Sequence, residues 1–296
     1  MHSYLHPQDE QQTLEWLAIL GAEKIPHRLV DSIDGWVIAV RKPHAERAWT
    51  AIQETEQVNQ NWPPKPLKTP AMQEQHDHWT VFGAAAFLGV AFWWFGDYTS
   101  STPHLRAGAA DSEAMLAGEW WRAVTALTLH ADFAHVAGNC AFLIALGYFV
   151  CQFLGGGLGL LMILLTGIFG NLMVAFLSED PHLSVGASTA TFGALGLICS
   201  MSSIEAYRQT RQWRSVFARV WVPLAGGIAM IGMTGVSPGS DLAAHGWGFL
   251  FGLLLMTPFP FVGTKWIPLW GQKALELVSL FIVLFAWKAA LVSVVK

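Results

Sequence analysis

The chain has 296 residues, 53% of them hydrophobic and only 13% charged, with 15 Trp, 18 Phe and a formal net charge of -4. With a mean hydropathy of +0.39, this balance suits a multi-span membrane protein better than a water-soluble enzyme, and it supplies no argument for a nucleic-acid partner. The three cysteines, Cys140, Cys151 and Cys199, fall in or at the end of apolar stretches, which excludes a disulfide framework, and no zinc-ligand spacing is present.

The first 58 residues differ in texture from the rest. MHSYLHPQDEQQ is polar and lacks the basic-then-apolar pattern of a cleaved signal peptide, so insertion is expected to be directed by the first span. Leu14, Leu17 and Ala18 suggest a helix before Gly21, and Ala45, Ala48, Trp49 and Ile52 recur at amphipathic-helix spacing. Between them, Leu29–Ile33 and Trp36–Val40 flank Asp34-Gly35, a dipeptide suited to a tight hairpin. Residues 1–58 thus read as a small soluble α+β module. Residues 59–78 carry Pro63, Pro64, Pro66 and Pro70 and read as a stiff linker.

Seven apolar segments follow: Trp79–Phe95, Phe133–Phe153, Leu160–Leu177, Gly186–Ser203, Val220–Val236, Leu242–Pro258 and Leu275–Leu291. Each is long enough, or nearly so, to cross about 30 Å of hydrocarbon at about 1.5 Å per residue. With the N-terminal module inside, 13 Lys/Arg fall on the inner side, and Arg106, Arg122, Lys288 and Lys296 alone fall outside. The positive-inside rule therefore predicts a cytoplasmic N-terminus and an outer C-terminus. Spans two, four and six then enter from the outer face. Each has its polar residues in its first turn or two: His135 and Asn139, Ser188, and His245. Three parallel helices can gather these groups just below the outer surface, and ionisable residues inside a membrane are costly and usually functional.

Local spacing fits that gathering. His245, Gly248 and Gly252 share one helical face, and Gly186, Ala187, Ala190, Gly193, Ala194 and Gly196 offer a small-residue surface to receive it. Such a seam would bring Ser188 against His245, with Phe192, one turn on, as a wall for the imidazole. Helix packing alone is the plainer reading of these glycines, and catalysis is the added claim.

GASTATFG around Ser188, AHGWGFLFG around His245, HADFAHVAGN from His130 to Asn139 and GEWWR from Gly118 to Arg122 resemble, in order, the signature segments of rhomboid intramembrane serine proteases. The resemblance covers roughly Trp79 to Pro258, a six-helix core, and residues 259–296 would add a loop and a seventh span in a six-plus-one arrangement. The implied fold is an all-α polytopic membrane bundle of about seven helices, and the small N-terminal α+β domain read from the residues lies outside the resemblance. Thr189 stands where the family often has glycine, a departure expected to bear on substrate-side geometry.

The resemblance implies a Ser188/His245 dyad, with His245 as the base that accepts the serine proton. It also implies an oxyanion hole from His135, Asn139 and the Ser188 backbone N–H, reinforced by the helix N-terminus. The structural alternatives are a packing histidine for His135 and an interhelical hydrogen bond for Asn139. Asp241 is either a helix cap or the third member of a triad, and its position at the start of span six favours the cap. His130 is expected to order the turn into span two. Trp120, Trp121 and Arg122 are expected to anchor an interfacial loop, with the arginine reaching phosphates. Asn171 and Glu276 read as structural, and Arg208, Arg211 and Arg214 as facing lipid headgroups.

The expected activity is hydrolysis of peptide bonds in or near transmembrane helices of other membrane proteins, without metal or cofactor, in a multi-pass protein of a bacterial plasma membrane. The expected partners are those substrates and membrane lipids; the sequence assigns no oligomeric state. Two other classes stay open: a non-catalytic client-binding relative, and a transporter, for which no inverted repeat is visible.

Overall fold

The structure, a computed structural model, describes residues 2–32, 35–59, 79–98, 103–217, 221, 225–227, 229, 241–256 and 267–295. The chain divides into two compact units, Met1–Leu67 and Lys68–Lys296.

The first unit runs β1 (His2–Leu5), α1 (Glu10–Ala22), β2 (His27–Ser32), β3 (Gly35–Arg41) and α2 (Ala45–Asn59). Its sheet has the order β1-β3-β2, antiparallel throughout. Leu5, Trp16, Leu20, Ile25, Ile38, Val40, Ala48 and Ile52 form its core, and each buried aliphatic contributes about 1.5–3 kcal/mol. Asp9 caps α1 by accepting from the Gln12 N–H at 2.7 Å. The buried face of α1 is Thr13, Trp16 and Leu20, whereas Leu14, taken from the sequence as part of the apolar stripe, is exposed. Trp16 wins the inward position because its ring fills the centre and its Nε1–H donates to Glu56 at 2.8 Å. Strand β1 has no counterpart in the sequence expectation; it is a short edge strand whose one buried residue is Leu5. Gly35 opens β3 opposite Ser32 with φ +107; Asp34 lies outside the described residues.

The second unit is helical. It comprises α3 (Thr80–Phe95), α4 (Pro103–Gly108), α5 (Ser112–Leu116), α6 (Arg122–Thr125), α7 (Phe133–Leu154), α8 (Gly156–Leu177), α9 (Ser188–Thr210), α10 (Leu242–Met256) and α11 (Leu269–Val295). A two-stranded ribbon joins β4 (Ala110–Asp111) to β5 (Leu183–Ser184). Among the described residues three helices are long and apolar enough to cross a membrane: α7, α8 and α11. The 22 residues of α7 and of α8 give about 33 Å each. Helices α3 and α10 are apolar but shorter. The expected span Val220–Val236 lies almost wholly outside the described residues, as do most of the linker and residues 257–266.

Helix α8 begins four residues before its expected start, because one residue, Gly155 with φ +90, suffices to turn the chain out of α7. The next glycines are not breakers here. A side chain on Gly157 would collide with the Gln272 carbonyl of α11, and the Gln272 side chain bridges Leu158 N–H and Leu154 C=O at 2.9 and 3.0 Å. Helix α11 likewise starts earlier and ends later than Leu275–Leu291.

Candidate active site

Ser188 is the first residue of α9 and is delivered by a loop fixed on several sides. Strand β5 pairs with β4, Ser184 opposite Ala110. The Gly186 N–H donates to the Ala126 carbonyl at 2.9 Å, and the Ala187 N–H donates to His130 Nε2 at 3.4 Å. Gly186 takes φ +131, a conformation that other residues resist. His130 is fully buried, and burial pushes its pKa down to about 3. It therefore stays neutral and can accept at Nε2. It ties the start of α9, and its ring also packs edge-on against His135 in the first turn of α7, centroids 5.2 Å apart.

His245 lies in the first turn of α10, and the Ser188 Oγ to His245 Nε2 distance is 2.8 Å. The imidazole is buried and stacks on Phe192, ring centroids 4.4 Å apart at 18°. The two helices meet backbone to backbone. A side chain on Gly248 would strike the Thr189 carbonyl, one on Gly252 the Gly193 carbonyl, and one on Gly196 the Phe249 carbonyl. Where lipid removes the hydrophobic drive for helix association, such contact supplies the packing. Thr189 is buried, and its methyl rests against Gly170 of α8 and Gly248 of α10. Glycines on both neighbours make room for the extra atoms.

Asp241 is committed elsewhere. One carboxylate oxygen accepts from the Ala244 N–H at 2.9 Å and the other from His182 Nε2 at 2.6 Å. His245 Nδ1 is buried without a hydrogen-bond partner among the described residues. Asp241 is thus the cap of α10, and the triad reading fails on geometry. His182, which the sequence reading passed over, ties that cap to the strand leading to Ser188. Its backbone N–H and C=O also bond Ser112, each at 2.9 Å. A histidine in a loop carries no spacing signal that would have marked it.

His135 lies with its ring against Gly186, where a side chain would strike its Cε1 and Nε2 and come within 3.6 Å of the Ser188 hydroxyl. Its Nδ1 accepts from the Ala131 N–H at 3.3 Å, so a neutral ring carries its proton on Nε2, the nitrogen turned to Gly186. Asp132 caps this helix through the His135 N–H at 2.8 Å. Asn139 is buried with its Nδ2 donating to the His135 carbonyl at 2.9 Å, a bond within its own helix; its second amide hydrogen meets no acceptor among the described residues.

In the loop before α7 one side chain departs from its expected direction. Arg122 does not reach out to phosphates: it is 9% exposed and donates to Glu119 at 2.6 Å and to the Arg106 and Ala109 carbonyls at 2.6 and 2.9 Å. These carbonyls, left over by short helices, are what a buried guanidinium can satisfy. Trp121 bonds the Ala107 carbonyl at 3.3 Å, while Trp120 is exposed. Asn171 braces the same loop by donating to the Ala123 carbonyl at 3.0 Å. Among the described residues no cluster of His, Cys, Asp and Glu could hold a metal ion.

The Rhomboid domain family model matches residues 117–260, the segment that holds His130, His135, Asn139, His182, Ser188, Asp241 and His245. Residues 117–260 are by this match a Rhomboid domain. It is 37% identical over 117 residues to Rhomboid protease GluP of Bacillus subtilis (strain 168), covering 39% of this chain and 23% of that protein. It is 30% identical over 177 residues to RHOMBOID-like protein 5 of Arabidopsis thaliana, covering 57% and 55%. It is 30% identical over 149 residues to Rhomboid-like protease 3 of Toxoplasma gondii, covering 50% and 55%. The chain thus spans between about a quarter and just over half the length of these relatives. With this domain and several apolar helices it is a multi-pass membrane protein. Helices α3 and α11 lie outside the matched segment.

Proposed function

We propose that this rhomboid is an intramembrane serine endopeptidase that cleaves membrane-protein substrates in or near their transmembrane helices with a Ser188/His245 dyad. The observation that carries the reading is the 2.8 Å contact between Ser188 Oγ and His245 Nε2. For the hydroxyl to donate in that contact, Nε2 must be the bare nitrogen and Nδ1 must hold the ring proton. As Oγ attacks the scissile carbonyl carbon, its proton passes to Nε2, and it then goes to the departing amine. Phe192 holds the ring plane, a positioning task that a third carboxylate performs in triads.

The tetrahedral intermediate places negative charge on the former carbonyl oxygen. Donors for it are the backbone N–H of Ser188, which has no intrahelical partner at a helix start, and the Nε2–H of His135. Asn139 can join with its second amide hydrogen, or with both after a rotation about its side-chain bonds. The substrate is a membrane-spanning segment because a helix in hydrocarbon hides its peptide bonds in its own hydrogen bonds. Only a segment that unwinds at a wet cavity exposes a carbonyl. Cleavage near the outer end of helices weakened by glycine, proline or polar residues follows.

The same reading has a cytoplasmic module over 1–58, a linker over 59–78, a six-helix core over 79–258 and a seventh span after it, in a bacterial plasma membrane with the site near the outer face. A fluorophosphonate probe tests the chemistry: it should label the purified protein at Ser188 and leave Ser188→Ala unlabelled. Cleavage of a model transmembrane substrate that persists in Ser188→Ala or His245→Ala would reject the proposal. Client capture without labelling would point to the binding-only alternative.

A further inference from the structure

Helices α3 and α11 touch at both ends and part in between. At one end Thr80 Oγ1 donates to Glu276 Oε1 at 2.6 Å. At the other, Phe95 stacks on Trp287 with centroids 4.2 Å apart, and Trp287 Nε1 donates to Thr128 Oγ1 at 2.9 Å. Between these clasps lies a cavity of about 600 Å³ whose walls include Gly83, Phe87, Leu164 and Leu280, and whose inner end meets Ala187 and Ala190, the neighbours of Ser188. The charged groups of its lining, Lys273 and Glu276, stand at one end. There Lys273, half-exposed, donates to Glu276 at 3.0 Å, beside Trp79, itself 68% exposed.

From these observations we infer that the slot between α3 and α11 is a binding site for one acyl chain of a membrane phospholipid, with its headgroup at Lys273 and Trp79. Protein interiors do not keep voids of this size, and an apolar-walled cavity stays free of water. What surrounds these helices is lipid. Along α11 the lining runs from Lys273 to Val283, about 15 Å at helical rise, a length that an acyl chain lying along the helix fills. The driving force is dispersion contact that an empty slot would forfeit, since transfer from bulk lipid brings no hydrophobic gain. Tryptophan prefers the headgroup level, and a lysine there suits a phosphate.

The test uses the full chain in vesicles of phosphatidylethanolamine and phosphatidylglycerol doped with a phospholipid bearing a mid-chain diazirine. After irradiation and digestion, adducts are expected on Phe87, Leu164 and Leu280 as well as on the outward residues Val90 and Phe149. Gly83→Phe should cut the slot adducts at least fivefold and spare the outward ones, because a Cβ at Gly83 meets nothing within 4 Å and the ring can enter the slot. Ala84→Leu serves as the second filling variant if the first does not fold. Adducts confined to outward residues in the wild type, or slot adducts undiminished in a folded filling variant, would overturn the assignment. So would slot adducts from a diazirine-bearing transmembrane peptide in place of the lipid.

Discussion

The α9–α10 seam and the α3–α11 slot are built on opposite principles within one helical unit. At the seam, glycines bring backbone against backbone and leave no room for a single added carbon at Gly196, Gly248 or Gly252. Across the slot, two end clasps hold the helices apart around about 600 Å³. A proton transfer depends on tenths of an ångström, and a seam with no free volume cannot drift. A boundary with lipid carries no such requirement.

The comparison breaks most decisively at the seam's chemistry. Ser188→Ala or His245→Ala should lower cleavage of a model substrate by at least about 10³-fold, with the double variant no worse than either, because the pair acts as a unit. Gly252→Leu comes next. Its side chain would meet the Gly193 carbonyl and the Leu197 N–H, so thermal unfolding in detergent should show a loss of about 3 kcal/mol or failure to fold.

Asp241→Ala sharpens the account of the dyad. Loss of a helix cap costs about 1 kcal/mol, and kcat/KM should fall less than about tenfold, where removal of a triad carboxylate's function costs about 10⁴-fold. A fall of the larger size would restore the triad reading. The smallest effect is expected at the slot: Gly83→Ala should leave activity unchanged and raise stability by about 0.5 kcal/mol, since the methyl meets nothing and alanine is the better helix former. Destabilisation there would mean that the slot is closed.

Legibility in the sequence followed the range of the interaction. Short motifs around Ser188 and His245, and the small residues at helical spacing, were readable because they lie within one turn or two of each other. The bond from Asp241 to His182 spans 59 residues and that from Arg122 to Arg106 spans 16; no periodicity marks either. Arg122 was misread outward for a related reason. An arginine beside tryptophans is the pattern of an interfacial anchor, and only the folded loop reveals three acceptors waiting inside. Leu14 and Trp16 show the same limit in the first unit, where two neighbouring apolar residues compete for one inward direction and the partner Glu56 decides.

By itself the sequence determined that this is a helical membrane protein of the rhomboid kind with a serine and a histidine at the starts of two apolar helices, because hydropathy, glycine spacing and short motifs are local properties of the chain. Tertiary structure alone decided which histidine nitrogen faces the hydroxyl, that Asp241 caps instead of relaying, that Thr189 turns inward, and that α3 and α11 enclose a slot. Those outcomes depend on which surfaces meet across tens to hundreds of residues, and a hydrogen bond or a void exists only once they have met.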